Sequence, residues 1–242
     1  MTNSAVSEDA LVEQPAIAWL CDRTGLKWTH VHGAALAPDA PARERKLWSD
    51  VVLVERLRAA VGRINPLLPA DAVQLVIDRA LTSSSPVLIE DHRGFHELLL
   101  SGVSVSYLDK NGTERHDRAW LVDFNDPSNN EFLGVNQFTI IDGTKNRRPD
   151  ILLFVNGLAL GQLELKAPGV VDSAQAAVNQ VRHYTETICD LYRYVEIVGV
   201  SDLLTARVGT SDTPAEHFAE WKTMGGERDG RSQLEVLIDR VF

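Results

Sequence analysis

The stretch DILLFVNGLALGQLELK, Asp150 to Lys166, decides the fold. Ile151 to Val155 and Leu158 to Leu165 are rich in strand formers, and the Asn156-Gly157 pair between them is the strongest short-range hairpin signal a sequence offers. Because side chains alternate between the two faces of a strand, the loop determines which residues share a face. A two-residue turn sets Asp150 opposite Leu163 and leaves Glu164 on the other face. A three-residue loop, Val155-Asn156-Gly157 with Gly157 left-handed, sets Asp150 opposite Gln162 and on one face with Glu164 and Lys166. The expectation is that bulged loop, or an equivalent bulge near Gly161.

Chemistry favours the bulged register. Diagonal neighbours on one sheet face lie roughly 7–8 Å apart, a gap that two carboxylates close on a shared ion with bonds of about 2 Å. Asp150 and Glu164 can then hold a divalent metal against a phosphate, with Lys166 beside the water that is activated. An Asp and a Glu-x-Lys at strand ends are also common solvated residues, and spacing alone does not separate the two readings. Burial does: the run ending in Glu164 and Lys166 is apolar enough for a strand covered on both faces, where a charge needs a metal or an ion pair. Phosphodiester hydrolysis is the first functional expectation.

Downstream of a Pro168-Gly169 break, Asp172 to Tyr192 carries apolar residues at Ala174, Ala177, Val178, Val181, Ile188 and Leu191, the spacing of an amphipathic helix. Gln180 and Tyr184 are i and i+4 on one face of it, able to reach a lysine, a metal-bound water or a phosphate. Upstream, Lys145, Arg147 and Arg148 sit just before Asp150 and are the candidate DNA-binding residues, with Arg115 and Arg118 in the preceding loop. The whole chain carries a net charge of −10 and a pI near 5.2, so a polyanion is attracted only where positive charge is segregated.

The remaining sequence fits a soluble enzyme. With 242 residues and 44% hydrophobic content, the chain can bury a large core. No apolar run is long enough to span a membrane and no secretory signal starts at Met1-Thr2-Asn3-Ser4, so the expected location is the cytoplasm. Cys21 and Cys189 read as reduced thiols in packed positions, and the seven histidines form no zinc-ligand spacing; His30 and His32 decorate a strand. Val12 to Leu20, Trp48 to Arg63 and Pro69 to Leu81 have helical spacing, and Gly33 to Glu44 reads as a mobile connector. Val103 to Leu108, Ala119 to Phe124 and Phe138 to Asp142 are expected strands before the hairpin; Tyr194 to Val200 and Leu203 to Val208 follow the helix. This order predicts an α/β fold with a central sheet flanked by helices. The cluster Gly225-Gly226-Glu227-Arg228-Asp229-Gly230 lacks the lysine and hydroxyl of a phosphate-cradling loop.

Several residues together resemble the N-terminal nuclease region of the restriction and motor subunit of type I restriction-modification enzymes, often called HsdR. They are Asn65-Pro66, Phe95-His96-Glu97-Leu98-Leu99 with Gly102-Val103, Asp123-Phe124 with Asn129-Asn130-Glu131-Phe132, and Asn136-Gln137. The series continues through Arg147-Arg148-Pro149-Asp150, Asn156-Gly157, Glu164-Leu165-Lys166, Gln180 with Tyr184, Glu216-His217-Phe218 and Trp221-Lys222. The family often has Asn where this chain has Asp91 and Ala167, neither of them a ligand position in the motif.

The resemblance implies a PD-(D/E)xK core of the RecB-like kind, a central mixed β-sheet flanked by helices. It implies that Asp150, Glu164 and the Leu165 carbonyl bind Mg²⁺ or Mn²⁺, that Lys166 positions or activates water, and that Gln180 and Tyr184 complete the catalytic site. An acidic residue from an early helix can join such sites; Glu55, Glu90 and Glu97 are the candidates. The implied domains are an N-terminal extension at 1–45, the endonuclease at 46–225, and a linker at 226–242 toward helicase-like motor lobes. ATP is needed only by those lobes, so the chain reads as an N-terminal fragment. The implied substrate is foreign double-stranded DNA, and the implied partners are the methylation (M) and specificity (S) subunits. A stand-alone RecB-like repair or recombination nuclease, and a non-catalytic docking module of the same fold, are the alternatives.

Overall fold

The hairpin lies at the centre of a mixed sheet. In the computed structural model, which describes residues 12–22, 27–109, 111–167, 173–220 and 230–242, the sheet holds seven strands. They run in the order β1 (Trp28–His32), β4 (Phe132–Asn136), β7 (Ile151–Val155), β8 (Leu158–Leu165), β9 (Ile197–Ser201), β10 (Ala206–Gly209) and β11 (Ala219–Glu220). β1 is parallel to β4 and β8 parallel to β9; the other neighbours are antiparallel. Two small ribbons stand apart, β2 (Val103–Leu108) with β3 (Glu114–Ala119), and β5 (Ile140–Asp142) with β6 (Lys145–Arg147). The helices are α1 (Gln14–Cys21), α2 (Val54–Ile64), α3 (Ala70–Leu81), α4 (Leu88–Ser101), α5 (Ser173–Thr187), α6 (Cys189–Tyr192) and α7 (Gln233–Val241). This is the α/β architecture the sequence predicts.

The loop is not the three-residue one. Val155 pairs with Leu158 across a two-residue turn whose Asn156 and Gly157 have φ of 54° and 83°, the doubly left-handed turn that matches strand twist. The register then shifts: Phe154 pairs with Ala159 but Leu153 pairs with Gly161, so Leu160 is the extra residue. This is the alternative bulge beside Gly161, and Ile151 opposite Leu163 carries Asp150 onto the face of Glu164. Gly157 is required twice over. Beyond its φ, a Cβ there would stand 2.4 Å from the Leu53 carbonyl, where Leu53 N–H reaches the Gly157 carbonyl at 2.9 Å.

Two cores cover the two faces of the sheet. Ile151, Leu153, Leu163 and Leu165 pack with Ala16, Ile17 and Leu20 of α1 and Leu234, Leu237 and Ile238 of α7. Leu152 and Phe154, on the other face, join the larger core with α2, α3, α4 and α5. Segments on either side of the 46–225 boundaries therefore take part in the sheet and its cover. β1 forms an edge strand, Trp28 donates its indole N–H to the Phe242 carbonyl at 3.2 Å, and Ser232 caps α7 by accepting from Glu235 N–H.

Local corrections have local causes. Gly33 to Glu44 is anchored rather than mobile: it contains a 3₁₀ turn, buries Leu36 and Ala37, and Glu44 pairs with Arg56 at 2.5 Å. Of Ala119 to Phe124 only Ala119 is strand, because side chains take the backbone donors beyond it: Trp120 N–H goes to Asn65 Oδ1 and Asp123 N–H to Asn130 Oδ1. The Asp172-to-Tyr192 helix ends at Thr187, whose hydroxyl bonds back to the His183 carbonyl, and restarts as α6. α2 begins at Val54 rather than Trp48, and β5, β9 and β10 begin two or three residues later than the apolar runs suggest. Both cysteines are free, and exposed rather than packed. Among the described residues, no helix is long and apolar enough to cross a membrane. Met1 to Ser4, Pro168-Gly169, Asp172, Trp221-Lys222 and 224–229 lie outside the described residues, as does the Ala174 side chain.

Candidate active site

The bulge converts the hairpin end into a cluster. Asp150 accepts the Leu165 N–H at 2.7 Å, which locks the carboxylate against β8. Glu164 has no exposed surface. Its Oε2 accepts from Gln162 Nε2 at 3.1 Å and its Oε1 lies 3.5 Å from Lys166 Nζ. Lys166, with its side chain 21% exposed, also donates to the Leu165 carbonyl at 2.9 Å and so stands between Glu164 and solvent. Burial, and secondly the Asp150 carboxylate, push Glu164 well above the usual carboxylate range, against the pull of Lys166.

On α5, Gln180 Nε2 donates to the Tyr184 hydroxyl at 2.6 Å, and that hydroxyl donates to the Arg148 carbonyl at 3.3 Å. Burial, and then Glu164, raise the Tyr184 phenol above its ordinary value. Asp150, Leu165, Lys166, Gln180, Tyr184, Arg147 and Arg148 line one cavity of about 760 Å³; Glu164 is fully buried and reaches its wall through Lys166. Asp150 on the lining, the Leu165 carbonyl and the Glu164 carboxylate, the last two both touched by Lys166 Nζ, make an all-oxygen set of the kind hard divalent cations prefer. Among the described residues, no group of three or more His, Cys, Asp or Glu side chains is placed to hold a metal ion, so the set rests on two carboxylates and a backbone carbonyl.

A model of the type I restriction enzyme R protein N terminus matches residues 5–217. The chain belongs to this family. It is 37% identical over 206 residues to the type I restriction enzyme HindI endonuclease subunit of Haemophilus influenzae, a match covering 82% of this chain and 19% of that subunit. It is 30% identical over 227 residues to a putative type I restriction enzyme MjaIXP endonuclease subunit of Methanocaldococcus jannaschii, covering 93% of this chain and 21% of that protein. The chain thus spans about a fifth of the length of the curated relatives it matches.

In this R protein N-terminal domain, the basic residues before Asp150 divide into different roles. Arg147 is a brace: its Nη2 meets His183 Nε2 at 2.7 Å, its Nε donates to Thr187 Oγ1 at 3.1 Å and its Nη1 to the Asn146 carbonyl at 2.8 Å. Arg148 is exposed on the cavity wall, and Lys145 is exposed on β6. None of Glu55, Glu90 and Glu97 lines the cavity. Glu55 pairs with Arg58, Glu90 accepts from Ser85, and Glu97 borders a separate cavity with Arg79 and Arg118.

Among the described residues, the early acidic residue at the cavity is Glu13, at the head of α1, 4% exposed. Asn136 Nδ2 and Gln137 Nε2 each donate to it at 2.6 Å, and His30 Nε2 meets Asn136 Oδ1 at 2.8 Å. His32 also lines the cavity. A sequence signal existed in the Val12-to-Leu20 helix and the Asn136-Gln137 pair. The pairing of β4 with β7 brings Asn136-Gln137 to the hairpin, and the packing of α1 against the sheet brings Glu13; the α1 contacts are long-range.

Proposed function

We propose that this chain is the Mg²⁺-dependent endonuclease domain of a type I restriction R subunit, hydrolysing phosphodiester bonds of foreign double-stranded DNA. One observation carries the reading: Asp150, Leu165 and Lys166 line one cavity with Arg148 on its wall, and the wholly buried Glu164 lies against Lys166 behind them, a buried carboxylate of the kind that calls for a cation. The donor set fits the ion. Asp150, Glu164 and the Leu165 carbonyl would hold it, at oxygens two of which Lys166 Nζ now contacts. When bound, Mg²⁺ supplies Lewis-acid polarisation of the phosphoryl oxygen and a lowered pKa for its water.

The chain's own groups do the rest. Lys166 offers an ammonium to charge developing at the phosphate. Arg148 binds the DNA backbone, while Gln180 and Tyr184 pin the Arg148 carbonyl and with it the approach to Asp150. Arg147 holds that segment to α5. ATP-driven translocation by motor lobes, and the M and S subunits, belong to the same proposal as the means of bringing DNA to a domain whose net charge repels it; the cytoplasm is where that complex acts.

In an assembled type I complex, Lys166→Ala should lower plasmid cleavage by about 10²–10³-fold while leaving ATP hydrolysis unchanged. Undiminished cutting by that variant defeats the proposal. Arg148→Ala should instead weaken DNA binding alike for all sequences and flatten the salt dependence by about one unit of log–log slope, read from binding isotherms between low and moderate salt.

A further inference from the structure

Glu164 is held from behind by a buried polar chain. Gln162 and Tyr192 are both without exposed surface. Tyr192 O–H donates to Gln162 Oε1 at 2.8 Å, and Gln162 Nε2 donates to Glu164 Oε2 at 3.1 Å. The period of two along β8 puts Gln162 and Glu164 on one face, and α6 brings Tyr192 over it. A glutamine at the centre of a sheet covered on both sides is a costly choice where an apolar side chain would pack.

Its direction is informative. With the tyrosine hydroxyl donating to the amide oxygen, the amide N–H faces the carboxylate; the flipped amide would set oxygen against oxygen. The chain therefore takes up Oε2 and leaves Oε1 turned toward Lys166, which lines the cavity. The donor is also neutral. A salt bridge at Oε2 would cancel the charge, whereas an amide fixes the rotamer and leaves the full negative charge for a cation. Glu13 is held in the same way, by the amides of Asn136 and Gln137.

We propose that Gln162 and Tyr192 are positioning residues that fix the Glu164 carboxylate for metal binding. The inference rests on the nuclease reading above. It is tested with Gln162→Met, which keeps the volume and removes the amide, and with Tyr192→Phe, which removes a single oxygen and serves if the first variant fails to fold. Calorimetric titration of the full chain with Mn²⁺ should give a dissociation constant raised roughly 10–100-fold for Gln162→Met, and a smaller rise for Tyr192→Phe. In the assembled complex, cleavage should recover with added Mg²⁺ while the KM for DNA stays unchanged. A merely structural role predicts the opposite pattern, a lowered melting temperature with unchanged Mn²⁺ affinity, and that result overturns the proposal. Asp150→Ala separates the two levels. If wild type and Asp150→Ala bind Mn²⁺ equally and neither cuts, the nuclease reading fails; if only Asp150→Ala loses both and Gln162→Met matches wild type, the positioning role alone fails.

Discussion

Glu164→Gln should silence DNA cleavage and stabilise the metal-free protein at the same time. Wild-type Glu164 is buried beside a second carboxylate, and its pKa is raised well above the ordinary range. The sign follows from linkage. A carboxyl with a raised folded-state pKa carries no penalty below the unfolded value of about 4.3; stability is lost as pH rises from there through the folded-state pKa. The neutral glutamine avoids that loss, with similar shape. Thermal melts without divalent ions should therefore coincide for the two proteins near pH 4 and diverge toward neutrality, the variant gaining on the order of 1–3 kcal/mol. Cleavage should fall about 10³-fold or more in the same variant, because a neutral amide cannot replace an anionic ligand. A variant no more stable than wild type at pH 7.5 would contradict the electrostatic account of the site, whatever its activity.

Asn156→Ala should be among the most damaging substitutions in the chain, although it lies at the far end of the hairpin from the chemistry. Asn156 has no exposed surface and a φ of 54°. Its side-chain oxygen accepts from Glu131 N–H at 2.9 Å and from Arg63, while its amide donates to the Leu121 carbonyl at 2.9 Å and to Asn130 Oδ1 at 2.8 Å. Alanine leaves a buried N–H and a buried carbonyl without this partner, and adopts the left-handed backbone reluctantly. The expected loss is on the order of 4 kcal/mol, a large share of the total for a domain this size, measured by urea unfolding. Asn156→Asp keeps the acceptor and loses the donor, and should fall between. A loss below about 1 kcal/mol for alanine would show that the network is dispensable.

The network explains part of what the sequence could disclose. Asp123, Asn130 and Asn156 stand out as isolated polar positions near apolar runs, yet in the structure they bind one another and the backbone, holding the turn rather than acting on substrate. The hairpin, α3 and β2 were legible because their periodicity is local. Asp150, Glu164, Lys166, Gln180 and Tyr184 could be gathered because all lie within one β-α segment. Of β1 only His30 and His32 were read as strand residues, and β4, α4 and α7 were not read, since their signals are short, mixed or dependent on distant partners. Glu13 was out of reach for that reason: its place depends on α1 packing under Ile151 and Leu163, contacts between residues far apart in sequence. The loop register shows the limit most clearly. The requirement that two carboxylates share a face was sound, but a bulge at Leu160 and a longer turn satisfy it equally, and the two-residue turn is held by long-range contacts, Gly157 against Leu53 and the Asn156 network.

Leu160 imposes a parity rule on the hairpin. One extra residue in β8 brings the two acidic side chains into phase, so removing Leu160, or inserting a single residue between Gly157 and Glu164, would reverse the phase and turn one of them away from the cavity. Changes of two residues restore it. With the two-residue turn held by Asn156 and Gly157, the length of this short segment is thus digital rather than continuous: odd indels reverse the phase, while even ones preserve it.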